Sequence, residues 1–326
     1  MTRPLRRLFA LTLIAGMGVW VANTSMWVTS LDQHKTRLIA HRGVHHIYAG
    51  FDRSNDACHA SPVEPAQHAF IENTIASMQE AFRLGADVVE IDVHLTTDEV
   101  FAVYHDWTLD CRTDGSGVTH AQTLAELQTL DIGFRIDDGS GTYPLRGLGV
   151  GQMPSLDQVL DQNPQGQFLI NFKSRRSREG TALAKMLANE EHRKQVFGVY
   201  GGSEPTLAAV SHTPNLRGFD RSSIKNCLIR YIALGWSGYI PERCRNTILL
   251  VPQNYAAFLW GWPHRFTRRL DAVNSQVVLV GPYDGSGFTS GIDDADALRN
   301  VPTAFDGYVW TNRIERIGPF IASLKD

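Results

Sequence analysis

The chain lacks a repeat of fixed period, a low-complexity tract and any basic stretch beyond its first residues. Its 31 lysines and arginines stand against 34 acidic residues, a formal charge of −3. That balance excludes the electropositive footprint of a nucleic-acid-binding protein. Cysteine is scarce. Cys58, Cys111, Cys227 and Cys244 form no C-x-x-C pair, which argues against a compact zinc site and for disulfides in an oxidising compartment. No glycine-rich phosphate loop follows the first apolar run, so a doubly wound open sheet is only the second choice of architecture.

One long hydrophobic run is present. Arg3, Arg6 and Arg7 precede a stretch from Leu8 to Leu31 that carries no charge. As a helix it would reach about 36 Å at ~1.5 Å per residue, enough to cross a bilayer. A cleavage site after Ala22 would put Trp20 at −3, where a small residue is needed. Residues 1–31 are therefore expected to be an uncleaved signal-anchor with its arginines cytoplasmic. The domain over 36–326 is then exported, tethered to the inner membrane on its periplasmic or extracytoplasmic side. Secretion after signal cleavage is the alternative.

With 326 residues, 43% of them hydrophobic, the chain can fill one large core. Short apolar runs recur at 37–41, 87–95, 100–105, 167–173, 195–200, 216–220, 247–252, 276–281 and 306–312. Amphipathic segments separate most of them, as at 74–84, 155–160, 178–190 and 295–300. Such alternation implies a parallel sheet. Treating 87–95 and 100–105 as one hairpin-like position leaves the eight that a single (β/α)8 TIM barrel requires. The loops 44–71 and 107–153 are longer than a barrel needs. Both leave the strand ends where barrel enzymes hold their sites.

Side chains on a strand alternate faces. Over 87–95, Val89, Ile91, Val93 and Leu95 suit surrounding helices, which turns Glu90 and Asp92 inward together. Two carboxylates buried side by side demand a cation. Oxygen donors suggest Mg2+ or Ca2+, and neutralisation by Arg42 and Lys173 is the alternative. The same parity puts Asn171 and Lys173 on one face. Lys173 and Arg42 suit a phosphate. His41 and His105 close their runs and can supply an acid and a base. Asp106 could orient an imidazole, though its parity points away from His105. In ENT, Asn73 or Thr74 suits a helix cap, and Glu72 does not.

This ordered set resembles the glycerophosphodiester phosphodiesterase family, whose barrels are of the phosphatidylinositol phospholipase C kind. The likeness is carried by HRG (41–43), ENT (72–74), GADVVEIDVHLTTD (85–98), VYHDWTLDCRTDGSG (103–117), MPSLDQVL (153–160), the lysine of INFK (170–173) and FDGYVWTN (305–312). It spans about 37 to 313 and is loose from 174 to 300. The resemblance implies metal-dependent cleavage of glycerophosphodiesters to sn-glycerol 3-phosphate and an alcohol. It makes His41 and His105 the acid–base pair, Glu90 and Asp92 the metal ligands, Arg42 and Lys173 the phosphate contacts, and Glu72 a supporting residue. Similar enzymes carry a glutamate where this chain has Asn171, so metal binding should be weaker. QVVLVGPYD also replaces their tryptophan–threonine pair. A lyase-like variant with internal attack would use the same parts, and a binding protein without turnover is the rival outside enzymes.

Two further expectations follow. The disulfides should join Cys58 to Cys111, from the two long loops, and Cys227 to Cys244. The stretch NYAAFLWGWPHRF (254–266) carries Tyr255, Phe258, Trp260, Trp262 and Phe266, too many aromatics for one stripe of a surface helix. They either pack inward or, with Arg265, Arg268 and Arg269, rim a site near the bilayer that draws in lysophospholipids, a lysophospholipase D activity.

Overall fold

A computed structural model of the chain describes residues 3–26, 36–48, 60, 68–285 and 290–323. The apolar runs are strands: β1 (Arg37–His41), β2 (Val88–Leu95), β3 (Phe101–Val103), β4 (Phe168–Phe172), β5 (Val196–Gly201), β6 (Gly218–Phe219), β7 (Ile248–Pro252), β8 (Gln276–Val280) and β9 (Tyr308–Thr311). Eight run in the order β6-β5-β4-β2-β1-β9-β8-β7, every pairing parallel. The short β3 turns back antiparallel on β2 and stays outside this ring. Between β6 and β7 the ladder gives way to side chains, Thr247 Oγ1 donating to the Gly218 carbonyl at 2.9 Å. The result is a nearly closed eight-stranded parallel barrel with helices around it, as the spacing of runs predicts.

Strand parity explains the two cores. Val89, Ile91 and Val93 of β2 and Phe168, Ile170 and Phe172 of β4 pack outward with the helices. Val88, Leu169, Phe197, Ile248, Val278 and Val280 fill the barrel interior. Each such side chain stabilises the fold by roughly 1.5–3 kcal/mol on full burial. Polar residues are left to the carboxyl ends, where β2 continues past Val88 to Glu90 and Asp92.

A third cluster belongs to the long 107–153 segment. Leu109, Leu127, Ile132, Ile136 and Leu145 pack on Tyr48, Ile71 and Tyr104, so this connection is a small lobe with its own core. The helix α2 (Ile75–Arg83) starts at Thr74, whose hydroxyl accepts from the Ser77 amide at 3.3 Å. Thr74, and not Asn73, is the cap.

The amino-terminal helix α1 (Arg3–Asn23) stops short of the expected Leu31. Its end is held by the barrel: Arg265 Nη1 and Arg269 Nη2 donate to the Ala22 carbonyl at 2.9 and 3.2 Å. Ser25 Oγ then donates to the Gly261 carbonyl at 3.0 Å. Among the described residues no helix is long and apolar enough to cross a membrane, so the anchor expected over 1–31 is not seen as a spanning helix. Residues 27–31 of that stretch lie outside the described residues. Cys227 and Cys244 are bonded as expected, across a separation of 17 residues. Cys111 is also disulfide-bonded, and its expected partner Cys58 lies outside the described residues.

Candidate active site

The mouth begins at HRG. His41 ends β1, and the chain then takes left-handed conformations at Arg42 (φ 57°) and Gly43 (φ 80°). A Cβ on Gly43 would lie 2.6 Å from Ser77 Oγ and 2.9 Å from backbone atoms of Ser77, so only glycine fits. This turn sends the Arg42 guanidinium into the mouth. Its Nη1 donates to Glu72 Oε1 at 3.1 Å, and its Nε lies 3.2 Å from Asp92 Oδ2.

Glu90 and Asp92 point inward from β2 and are fully buried. Asp92 pairs in register with Asn171, and Asn171 Nδ2 donates to its Oδ1 at 2.8 Å. Lys173 Nζ, just beyond β4, is 3.7 Å from the same oxygen. Asn73, left-handed at φ 60°, clamps the strand from the other side. Its Nδ2 donates to Asp92 Oδ2 at 3.0 Å, and its Oδ1 accepts from the Asp92 amide at 3.1 Å. Glu90 Oε1 accepts from the Tyr200 hydroxyl at 2.6 Å.

The two histidines are held differently. Asn312 Nδ2 donates to Asp293 Oδ2 at 2.9 Å, which leaves Asn312 Oδ1 to accept from His41 Nδ1 at 2.7 Å. The lone pair is then on His41 Nε2, which lies 3.8 Å from Glu90 Oε2. Burial, aided by Arg42, holds this imidazole well below its ordinary pKa. His105 instead meets a carboxylate, its Nδ1 lying 2.7 Å from Asp106 Oδ1. The parity argument against Asp106 fails because β3 ends at Val103 and residues 104–106 are not strand.

Arg112 ties the halves together. Fully buried, it reaches from the lobe to Glu72 Oε1 at 2.6 Å and lies 3.9 Å from Asp106 Oδ2. Glu72, Glu90, Asp92 and Asp106 thus share the site with Arg42, Arg112 and Lys173, one positive charge short of balance when all are ionised. The shortage falls on Glu90, whose carboxyl is pushed up by burial and by Asp92. Burial also raises Asp106 to about 6.

All the predicted residues therefore join one contact network: His41, Arg42, Glu72, Glu90, Asp92, His105, Asn171 and Lys173. Five were missed in their roles: Asn73, Arg112, Tyr200, Asp293 and Asn312. Asn73 had a visible signal in the ENT motif, masked by its suitability as a cap. Tyr200 had none, because a bulge at Phe197 shifts the register of β5 against β4 and turns both Phe197 and Tyr200 inward.

A divalent cation would find oxygen donors here in Glu90 and Asp92. The fit is conditional. Both Asp92 oxygens already hold partners, and Asn171 must turn its amide oxygen toward the ion. Among the described residues no group of three or more His, Cys, Asp or Glu side chains forms a ready cation cage. The set suits a weak O-ligand site, not a tight one.

His41, His105, Arg42 and Lys173 thus gather with the carboxylates at the carboxyl end of a parallel barrel. Residues 41–200, which hold most of this network, match the model of the Glycerophosphoryl diester phosphodiesterase family. A glycerophosphodiester phosphodiesterase of Caldanaerobacter subterraneus subsp. tengcongensis is 35% identical over 102 residues, 31% of this chain and 39% of that protein. The chain thus matches well under half the length of this relative. The glycerophosphoryl diester phosphodiesterase domain of a Mycobacterium tuberculosis protein superposes with a TM-score of 0.59 at 17% identity, covering 88% of this chain and 99% of that one. An Oleispira antarctica phosphodiesterase, solved in complex with the product sn-glycerol-3-phosphate, gives 0.52 at 20% identity over 88% and 96%. These likenesses show the same fold.

Proposed function

We propose that the protein hydrolyses glycerophosphodiesters to sn-glycerol 3-phosphate and an alcohol. The observation that carries this reading is the unequal pair of histidines beside Arg42 and Lys173. A neutral His41 with its lone pair on Nε2 suits a general base. His105, backed by the Asp106 carboxylate, suits a general acid. In the proposed reaction the substrate phosphate lies against Arg42 and Lys173, which offset its charge. Water attacks phosphorus as His41 Nε2 takes its proton. The bond from phosphorus to the alcohol oxygen breaks, and protonated His105 gives its proton to that oxygen. Glu72 and Arg112 hold Arg42 and Asp106 in place.

Mg2+ or Ca2+ is the proposed cofactor, held by Glu90 and Asp92 with the Asn171 amide oxygen. When bound it would offset charge on the phosphate oxygens. We also infer an exported location, with α1 entering the inner membrane and the barrel on the periplasmic or extracytoplasmic side. Lysophospholipids in that membrane are then a second proposed substrate.

The test is direct. The full chain, given glycerophosphocholine with Mg2+ or Ca2+, should release glycerol 3-phosphate and choline in equal amounts. Release of choline phosphate, or of nothing, would overturn the assignment. Full activity in excess chelator would remove the metal from it.

A further inference from the structure

The two arginines that hold α1 sit on a face the reaction does not use. Arg269 Nη1 donates to Asn23 Oδ1 at 2.9 Å and to the Tyr231 hydroxyl at 3.1 Å. Asn23 Nδ2 in turn donates to the Trp236 carbonyl at 2.9 Å. With the bonds to Ala22 and Ser25 already described, the last turn of α1 is fixed to the barrel by guanidiniums at its negative end. Its orientation is therefore set by the barrel, not by a free linker.

Beyond that latch α1 is bare. Leu5, Phe9, Leu13, Ile14, Met17 and Trp20 are all exposed, and past Arg6 and Arg7 the run from Leu8 to Ala22 carries no charge and a single polar side chain, Thr12. A helix apolar around its circumference needs an apolar medium on all sides, which one protein partner's face does not provide. Where α1 meets the barrel, Ile232, Trp236, Tyr239 and Trp260 are also exposed. Tryptophan and tyrosine ringing the foot of an apolar helix are the side chains that settle at a headgroup boundary.

Charge completes the pattern. A cleft of about 510 Å³ beside the latch is lined by His264, Arg265, Arg268, Arg269 and Ala272, with no carboxylate among its described lining residues, although His264 Nδ1 lies 3.2 Å from Asp306 Oδ2. Arg265 and Arg269 are committed to α1. Arg268 is exposed, and its guanidinium makes no hydrogen bond or ion pair with another described residue. A guanidinium next to an apolar helix and its aromatic fringe suits a lipid phosphate.

We propose that this face docks on a bilayer: the latch fixes the barrel's tilt, Trp236, Tyr239 and Trp260 seat at the headgroups, and Arg268 takes the phosphate of an anionic lipid. The proposal rests on the reading of α1 as membrane-embedded, and its test separates the two. The full chain is reconstituted in phosphatidylcholine vesicles with and without phosphatidylglycerol. An environment-sensitive fluorophore is attached at Trp20→Cys or, in a second sample, at Tyr239→Cys. Blue-shifted emission at both positions, quenched by brominated lipid chains, is the expected result. A shift at position 20 alone leaves the anchor standing and overturns the docking. Absence of a shift at both sites removes the anchor reading and the docking with it. A shift at 239 that follows protein density and is not quenched by lipid would make the face a contact between copies, which also overturns it. Arg268→Ala should lower the docked-to-undocked ratio about fivefold in phosphatidylglycerol vesicles alone, with glycerophosphocholine hydrolysis unchanged. Equal docking of that variant would remove the headgroup assignment.

Discussion

His41 and His105 are the same side chain made unlike by one neighbour each. An amide oxygen fixes the tautomer of His41 and gives no charge, whereas His105 Nδ1 meets the Asp106 carboxylate at 2.7 Å. His41 depends in turn on Asp293, because only the Asp293–Asn312 bond keeps the amide oxygen, and not the NH2, facing the ring. Asp293→Ala should lower kcat by up to about 10²-fold with KM little changed, less than outright loss of a catalytic base. Asp293→Asn keeps an acceptor for Asn312 and should restore most of the rate; a shared loss in both variants would mean simple unfolding. The pH dependence has a definite sign. Falling pH inactivates the base by protonating it, and burial lowers the pKa of His41. The acid limb of kcat/KM should therefore lie below the ordinary histidine value of about 6.5. A limb at or above it would assign the base elsewhere. At Asn171, replacement by Glu adds a third carboxylate beside Glu90 and Asp92, and calorimetry should show Mg2+ or Ca2+ binding tighter. Unchanged affinity would remove residue 171 from the ligand set.

At the scale of elements, β2 was legible because period-two alternation separates Val89, Ile91 and Val93 from Glu90 and Asp92 without any tertiary information. The same rule read β4, and it gave Asn171 and Lys173 their face. It failed on β5, where the bulge at Phe197 breaks alternation and hides Tyr200. It failed again after β3, where the chain leaves strand geometry before His105 and Asp106. The 107–153 lobe was visible as a long loop, but nothing local could show that Arg112 crosses it to meet Glu72. The guanidinium lies over the rings of Tyr48 and Tyr104, which share a core with Leu109, Ile132 and Ile136. Arg112→Met is expected to destabilise the fold by about 3–5 kcal/mol, since it leaves Glu72 and Asp106 buried with one cation fewer. Urea denaturation measures this, and a loss below about 1 kcal/mol would show that the lobe holds without the ion pairs.

Across the whole molecule, the aromatic stretch 254–266 splits between the two readings its composition allowed. Phe266 is buried and Trp262 packs 5.2 Å from Phe305, so this half belongs to the core. Tyr255, Phe258 and Trp260 remain exposed. Tyr255 and Phe258 follow the carboxyl end of β7, on the mouth side, where Tyr255 meets the ring of Tyr283 at 6.2 Å. Trp260 lies by the foot of α1, its Nε1 donating to the Ile232 carbonyl at 2.8 Å. In the proposed lipid activity, an acyl chain would lie along these exposed rings while the phosphodiester reaches Arg42 and Lys173. Glycerophosphocholine has no chain to place there. Phe258→Ala should then reduce turnover of lysophosphatidylcholine by roughly tenfold, the effect expected for losing ~1.5 kcal/mol of apolar contact, and leave glycerophosphocholine turnover unchanged. Equal loss on both substrates would point to packing of the mouth, and no loss on either would remove this ring from the proposed lipid activity.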